Sequence, residues 1–212
     1  MAEPANAQTP YRQIRAQYDQ DTITVYQAYQ ASIAEAAVKH QKLNASPDFK
    51  PGRMTWIKPS WSWMMYRAGY SYKDARQSRI LALRMKHDDF IAILEKALLS
   101  THKPGVKSNE SSDVKAQCRV QWDPERTPKL EVLPFRSIQI GISEALSAKW
   151  AQDMIVSIED VTDKARQLKT AIESDPEITT QELVKNGLVP VERPFAVPEH
   201  VMDILEMHSP HR

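Results

Sequence analysis

A chain of 212 residues, 42% hydrophobic and 26% charged, has the size and composition of one globular domain. Its 28 Lys and Arg against 27 Asp and Glu leave a net charge of +1, so no global field draws it to nucleic acid or membrane, and an anion site has to be local. The single Cys118 excludes an intrachain disulfide and a cysteine-rich zinc site; no apolar run approaches the roughly eighteen residues of a membrane helix, and no secretory signal pattern opens the chain. A cytoplasmic protein is expected, with nuclear entry compatible and no membrane partner.

Residues 1–10, rich in Ala and Pro, read as a disordered lead, 11–198 as a single domain and 199–212 as a tail. The alternating, β-branched and aromatic run from Thr22 to Tyr29 predicts a strand. Ser32 and Glu35 have capping-box spacing and open an Ala-rich helix to about Lys42. Met54 to Ile57 reads as a short strand, followed by a helix with Pro59 in its first turn that runs to Arg67 and ends at Gly69. Arg79 to Met85 is a buried strand. Asp88 or Asp89 then caps a helix with Phe90, Ile91, Leu94, Ala97 and Leu98 on one face. A hydrophilic segment from Thr101 to Ser112 has the composition of a mobile loop. Cys118 to Trp122 is a strand ending at an Asp123-Pro124 turn, with Cys118 as a core thiol. Arg136 to Ile142 is another, with Ile138, Ile140 and Ile142 on one face and Gln139 on the other. Ser143 opens a helix to Trp150, Met154 to Ile158 is the last strand, and Thr162 or Asp163 caps a helix to Ile172. Thr179 and Glu182 form a capping box for a short helix ending at Gly187. Pro190, Pro194 and Pro198 then make an extended strap, and Val201 to Met207 a last amphipathic turn. Strands and helices mix without strict alternation, so the class is α+β: a mixed or mostly antiparallel central sheet flanked by helices, with a Pro-rich C-terminal strap.

The segment from Arg53 to Arg67 carries the functional signal. It interleaves three tryptophans and a tyrosine with three cations, Arg53, Lys58 and Arg67, a combination suited to flat anionic ligands. It lies in a basic stretch, Lys50 to Lys86, with nine Lys or Arg against the single acid Asp74. Trp61, Met64 and Met65 recur at helical spacing and read as core. Arg53, Trp56, Lys58, Trp63 and Arg67 either pair with carboxylates such as Asp123 or Glu125 or line an anion-binding cleft, because a cation is costly to bury unpaired. Ser60 is a helix cap, or one wall of a phosphate site at the helix N-terminus. Arg136 and Gln139 bracket a strand, and Asp123 and Glu125 are candidate structural partners for Arg126 or Arg136. His40, His87, His102, His200, His208 and His211 lack metal-ligand spacing, no metal is expected, and the absence of a GxSxG elbow disfavours a serine hydrolase.

The motifs TITVYQAY, RMTWIKPSWSWMMYRAGY, RILALRM, VQWDPER, PFRSIQIGIS and VPVERPF, in that order, resemble the domain-of-unknown-function 4291 family of bacteria and fungi, over about Tyr11 to Pro198. That family's usual loop after MMYR reads like TKPGQERVL; here it is SYKDARQSRIL, without the Pro-Gly turn. The resemblance implies a fold and shared motifs, not a reaction. A strand such as ITVYQAY leading directly into a helix is also similar to the opening strand of ADP-ribosyltransferase-like domains, which bind NAD between two small sheets. By that analogy Tyr26 and Gln27 would grip the nicotinamide with Tyr66 beside it, and Gln139 or Glu159 would orient the acceptor. No Arg-Ser-Glu or His-Tyr-Glu set accompanies it.

The expected function is recognition of a nucleotide or a nucleic-acid end. Gln27, Arg53, Trp56, Lys58, Ser60, Trp63, Tyr66, Arg67 and Arg136 are the binding candidates, and Tyr26, Gln139 and Glu159 the catalytic ones. NAD-dependent group transfer is its enzymatic form. The competing class is a non-catalytic protein-interaction module in which the basic aromatic segment is structural.

Overall fold

Two small sheets meet at one backbone bridge, and that junction organises the molecule. The structure is a computed structural model that describes residues 9–100 and 118–208. The expected lead over residues 1–8, the hydrophilic segment of 101–112, and His102 and His211 lie outside the described residues. In the first sheet β2 (Thr22–Tyr29), β4 (Arg79–Lys86) and β8 (Ile155–Asp160) run antiparallel in the order β2-β4-β8. The second has the order β3-β7-β6-β5: β3 (Thr55–Ile57), β7 (Val132–Ile142) and β6 (Cys118–Arg126) are antiparallel neighbours, and β5 (Ala97–Leu99) joins β6 in parallel. The Tyr26 amide donates to the Lys58 carbonyl at 2.7 Å and the Lys58 amide donates back at 3.3 Å, which links β2 of one sheet to the end of β3 in the other. A third pairing holds β1 (Arg15–Ala16) against β9 (Arg193–Pro194), so the Pro-rich strap is anchored to the start of the domain.

The sheets share one core. Ile23 and Val25 of β2, Leu81, Leu83 and Met85 of β4, and Ile158 of β8 bury against Ile57 of β3, Val120 of β6 and Ile138, Ile140 and Ile142 of β7. The helices α1 (Ala31–His40), α3 (His87–Leu94) and α4 (Glu144–Lys149) close around it. A second core forms on the other face of the first sheet. There α2 (Trp61–Ala68), α5 (Thr162–Ser174) and α6 (Thr180–Lys185) pack Trp61, Met64, Met65, Ala165, Leu168 and Leu183 over Tyr26 and Ala82. With both faces covered, β4 carries a near-continuous apolar run from Ile80 to Leu83 rather than strict alternation. The last helix, α7 (Glu199–Ile204), follows the strap. The class is α+β with one antiparallel and one mixed sheet, as expected, and no helix among the described residues is long and apolar enough to cross a membrane.

Several boundaries differ from the sequence expectations, each for a local reason. α1 begins at Ala31, so Ser32 lies inside the helix and gives its hydroxyl to Asp48 at 2.6 Å instead of capping. Ser60 is the cap of α2, which leaves Pro59 one residue outside it. Lys86 precedes α3, and Asp88 and Asp89 sit in its first turn, where their charge complements the free N–H groups. That helix stops at Leu94, and Ala97 and Leu98 leave it to pair with β6. Pro124 does not end its strand: it lies opposite Arg136 beside an irregularity in register, and the ladder continues to Arg126. The α5 cap position falls at Val161, with the Asp160 carboxylate accepting from the Thr162 N–H at 2.9 Å.

Candidate functional site

The Arg53–Arg67 segment divides into an aromatic half that builds the core and a cationic half that lines a groove. The Ser60 hydroxyl accepts from the Trp63 N–H at 3.1 Å to start α2, and Gly69 ends it in the left-handed conformation at φ 55°. A side chain at Gly69 would bring its Cβ to 2.9 Å from that of Lys73. Trp61, Met64 and Met65 are buried, as their helical spacing predicts. Trp63 points elsewhere, and its ring lies 4.8 Å from the Lys58 ammonium.

Lys58 is 5% exposed. Among the described residues its ammonium donates no hydrogen bond and has no carboxylate within ion-pair distance. The charged and aromatic groups acting on it are the Trp63 ring, Arg67 and, more weakly, Asp123. Burial and then Arg67 push its pKa down to about 8, against a smaller opposing pull from Asp123. The side chain lines a depression of about 200 Å³ together with Arg67, Gln27, Trp56 and Gln77. Trp56 reaches that position because its ring lies over Gly141 of β7, where an added Cβ would come within 2.9 Å of the indole. Gln27 is held in place by donation to the Thr55 hydroxyl and the Trp56 carbonyl, at 2.6 and 2.9 Å, and by the Tyr29 hydroxyl donating to it at 2.8 Å.

A second depression of about 550 Å³ adjoins this one, sharing Tyr29, Met54 and Thr55 with it and adding Lys50, Arg53, Arg76 and Phe49. Arg76 is already engaged by Asp74, and Asp48 by Ser32 and Gln30. Arg53 and Arg67, like Lys58, have no ion-pair partner among the described residues. The segment's three cations therefore line two adjoining depressions that together form the groove, Lys58 and Arg67 the narrower and Arg53 the wider.

The other candidates are distributed differently. Tyr26, Ala82 and Glu159 occupy one row across the first sheet, with Thr24, Arg84 and Ser157 in the next. Both rows line a separate cavity of about 440 Å³ closed by Trp61 and Lys164. Burial holds the Tyr26 phenol well above its usual range, with Glu192 and Glu159 adding to the effect. Gln139 is not in that cavity; its amide donates to Gln121 across the second sheet at 2.6 Å. Tyr66 is partly exposed beneath the Arg126 guanidinium, 3.6 Å from its centroid. Arg136 stacks near Tyr11 and donates to its hydroxyl at 2.7 Å. Neither Arg126 nor Arg136 forms the carboxylate pair expected with Glu125.

Glu125 does something the sequence does not disclose. It accepts from the Ser60 hydroxyl at 2.9 Å and from the Arg126 N–H at 2.8 Å, while Glu192 of the strap accepts from the Trp61 N–H at 2.6 Å. The N-terminal groups of α2 expected to meet a phosphate are thus taken by the protein's own carboxylates. Burial raises both acids, Glu192 to about 8 with the Glu125 charge adding to its shift. Glu192 lies within the motif VPVERPF, but nothing in its spacing marks it as a partner of α2, which is far away along the chain. His208 also meets Glu199 and Asp203 at 3.0 and 3.9 Å, an exposed cluster that spacing alone does not show. Cys118 is a buried core thiol, raised by burial to about 11.

A comparison with curated proteins found no match. The family model described as Domain of unknown function (DUF4291) matches residues 13–195, which include both sheets and every residue of the groove.

Proposed function

Because the chain belongs to the domain-of-unknown-function 4291 family, whose description names no reaction, we propose from the geometry alone that it binds a phosphate-bearing ligand of the nucleotide class in the groove of Arg53, Lys58 and Arg67. The observation that carries this reading is Lys58: an ammonium 5% exposed, unpaired, and lining a cavity. An unpaired buried cation is unfavourable by several kcal/mol of lost hydration unless something anionic arrives to compensate. A phosphate between Lys58 and Arg67 supplies that compensation, and the Arg67 guanidinium is suited to bidentate contact with it. The wider end, with Phe49, Tyr29 and Arg53, has room and aromatic surface for a base or ribose. Three cations confined to two adjoining depressions suit a free nucleotide better than a polynucleotide, which needs a longer basic track.

A second reading rests on the row Tyr26–Ala82–Glu159, which puts a phenol and a carboxylate into one cavity. This is the arrangement that group transfer from NAD would use, with Glu159 stabilising the cationic ribosyl centre. Nicotinamide release from NAD, abolished in Glu159→Gln, is its test.

Thermal shift with ADP, ADP-ribose, NAD, pyrophosphate and a short oligonucleotide tests the first reading. At a hundred times its dissociation constant a ligand stabilises by about 2.7 kcal/mol, a few degrees for a chain of this size. A shift with ADP or pyrophosphate that falls with salt and shrinks by about half or more in Lys58→Met is the expected result. A shift undiminished in that variant, or none with any phosphate, refutes the groove as a phosphate site.

A further inference from the structure

Lys58 is more than an anion contact. We propose that its amine is a nucleophile that forms a Schiff base with a carbonyl compound carrying a phosphate or carboxylate, the anionic group resting on Arg67. The inference rests on the anion-binding reading of the same cavity and goes further by assigning the lysine a covalent step.

Four features of the structure converge on it. Lys58 lines a cavity, which gives a small aldehyde a route to it although the residue is 5% exposed. Among the described residues no carboxylate holds it as a permanent ion pair, so its lone pair is not committed once the proton leaves. The neighbouring groups from each packed element are Arg67 and Trp63 of α2 and Asp123 of β6; the first repels a proton on Lys58 and only the last favours it. Arg67 also lines the narrower depression, where it can receive the anionic end of a ligand whose carbonyl meets Lys58.

A lysine desolvated beside another cation is the usual environment of an amine nucleophile. With its pKa at about 8 instead of 10.5, the neutral fraction near pH 7.5 is larger than that of an exposed lysine by about a hundredfold. The step balances without a further reagent. The Nζ lone pair attacks the carbonyl carbon, forming the C–N bond while the carbonyl π pair moves to oxygen. A proton passes from nitrogen to that oxygen, and loss of water breaks the C–O bond and leaves the imine.

Pyridoxal 5′-phosphate, an aldehyde bearing a phosphate, is the probe for the full chain, followed by borohydride reduction and peptide mapping. Pyridoxal without the phosphate is the comparison, and circular dichroism verifies that each variant is folded. The expected result is a reduced adduct on Lys58 that forms about tenfold or more faster than on any other lysine, a margin set by its free-amine fraction less its weaker basicity. Pyrophosphate should slow it, Lys58→Arg should remove it, and Arg67→Gln should slow it for the phosphate-bearing aldehyde alone. Labelling spread evenly over lysines, or unchanged in Lys58→Arg, overturns the proposal. The two readings fail separately: ADP binding without an adduct refutes the nucleophile and leaves the anion site, whereas equal labelling by both aldehydes refutes the role of Arg67 and of the anionic group.

Discussion

The two ends of the α2 neighbourhood handle buried charge in opposite ways. At the helix N-terminus, two acids are brought together, and the fold answers them internally. Ser60, the Arg126 N–H and the Trp61 N–H donate to Glu125 and Glu192, and Glu192 can keep its proton. On the other side, Lys58 and Arg67 share a cavity and have no paired acid among the described residues. A carboxylate satisfied by helix amides and a hydroxyl is a structural device. A cation left unsatisfied beside a cavity is one that a ligand can complete. The difference separates the charges that hold the fold from those available for binding.

The largest expected effect separates the two regions by affinity. Lys58→Met or Arg67→Ala removes a charge-assisted contact of about 1.5–3 kcal/mol and should weaken ADP binding roughly 10- to 100-fold by calorimetry. Ser60→Ala should leave that affinity unchanged. A Ser60→Ala variant that bound as weakly as Lys58→Met would erase the distinction.

Next in size is the stability counterpart. Ser60→Ala removes the α2 cap and the hydroxyl donated to buried Glu125, and should lower unfolding stability in urea by about 1–2 kcal/mol. Lys58→Met should not lower it, because a buried unpaired ammonium is replaced by an apolar chain of similar size.

The two regions should also give opposite pH slopes. Glu192 binds its proton more tightly in the folded state, with a pKa of about 8 against 4.5, so stability attributable to it falls as pH rises through that window. Lys58 binds its proton less tightly when folded, about 8 against 10.5, so its contribution recovers as pH rises from about 8 to about 10.5. Denaturation midpoints measured across pH should show the first slope flattened by Glu192→Gln and the second by Lys58→Met. Saturating ADP should flatten the second as well, by returning the Lys58 pKa toward its ordinary value. A pH profile unchanged by either substitution would mean that these groups are not the buried titrating sites described.

The smallest effect is expected at Arg76, on the rim of the wider depression but already paired with Asp74 and open to solvent. Arg76→Ala should change neither the melting temperature nor the ADP affinity measurably, since solvent screens such pairs. A marked loss of affinity there would extend the site beyond the unpaired cations.

Much of the fold was legible wherever a local rule had no tertiary competitor. Thr22–Tyr29 alternates and is β-branched, and it forms a strand with those bounds; Gly69 ends α2 because a left-handed turn suits glycine; Thr179 and Glu182 form the full capping box. The misses fall where a partner distant in sequence overrides the local pattern. Ala97 and Leu98 fit a helix face, yet pairing with β6 draws them into a strand. Pro124 reads as a turn, yet β7 continues to pair past it. Ser32 reads as a cap, but Asp48 takes its hydroxyl.

The chain by itself determined the α+β class, the buried half of the Arg53–Arg67 segment and the local excess of positive charge, because composition, helical spacing and capping act over a few residues. Only the tertiary structure decided which charges are satisfied. Lys58 and Ser60 are two positions apart, yet one lines an open groove and the other meets Glu125 from 65 residues away, with Glu192 on the adjoining amide from still further. Whether a buried charge is paired depends on which side chains the fold brings within about 3 Å of it, and no spacing along the sequence encodes that distance.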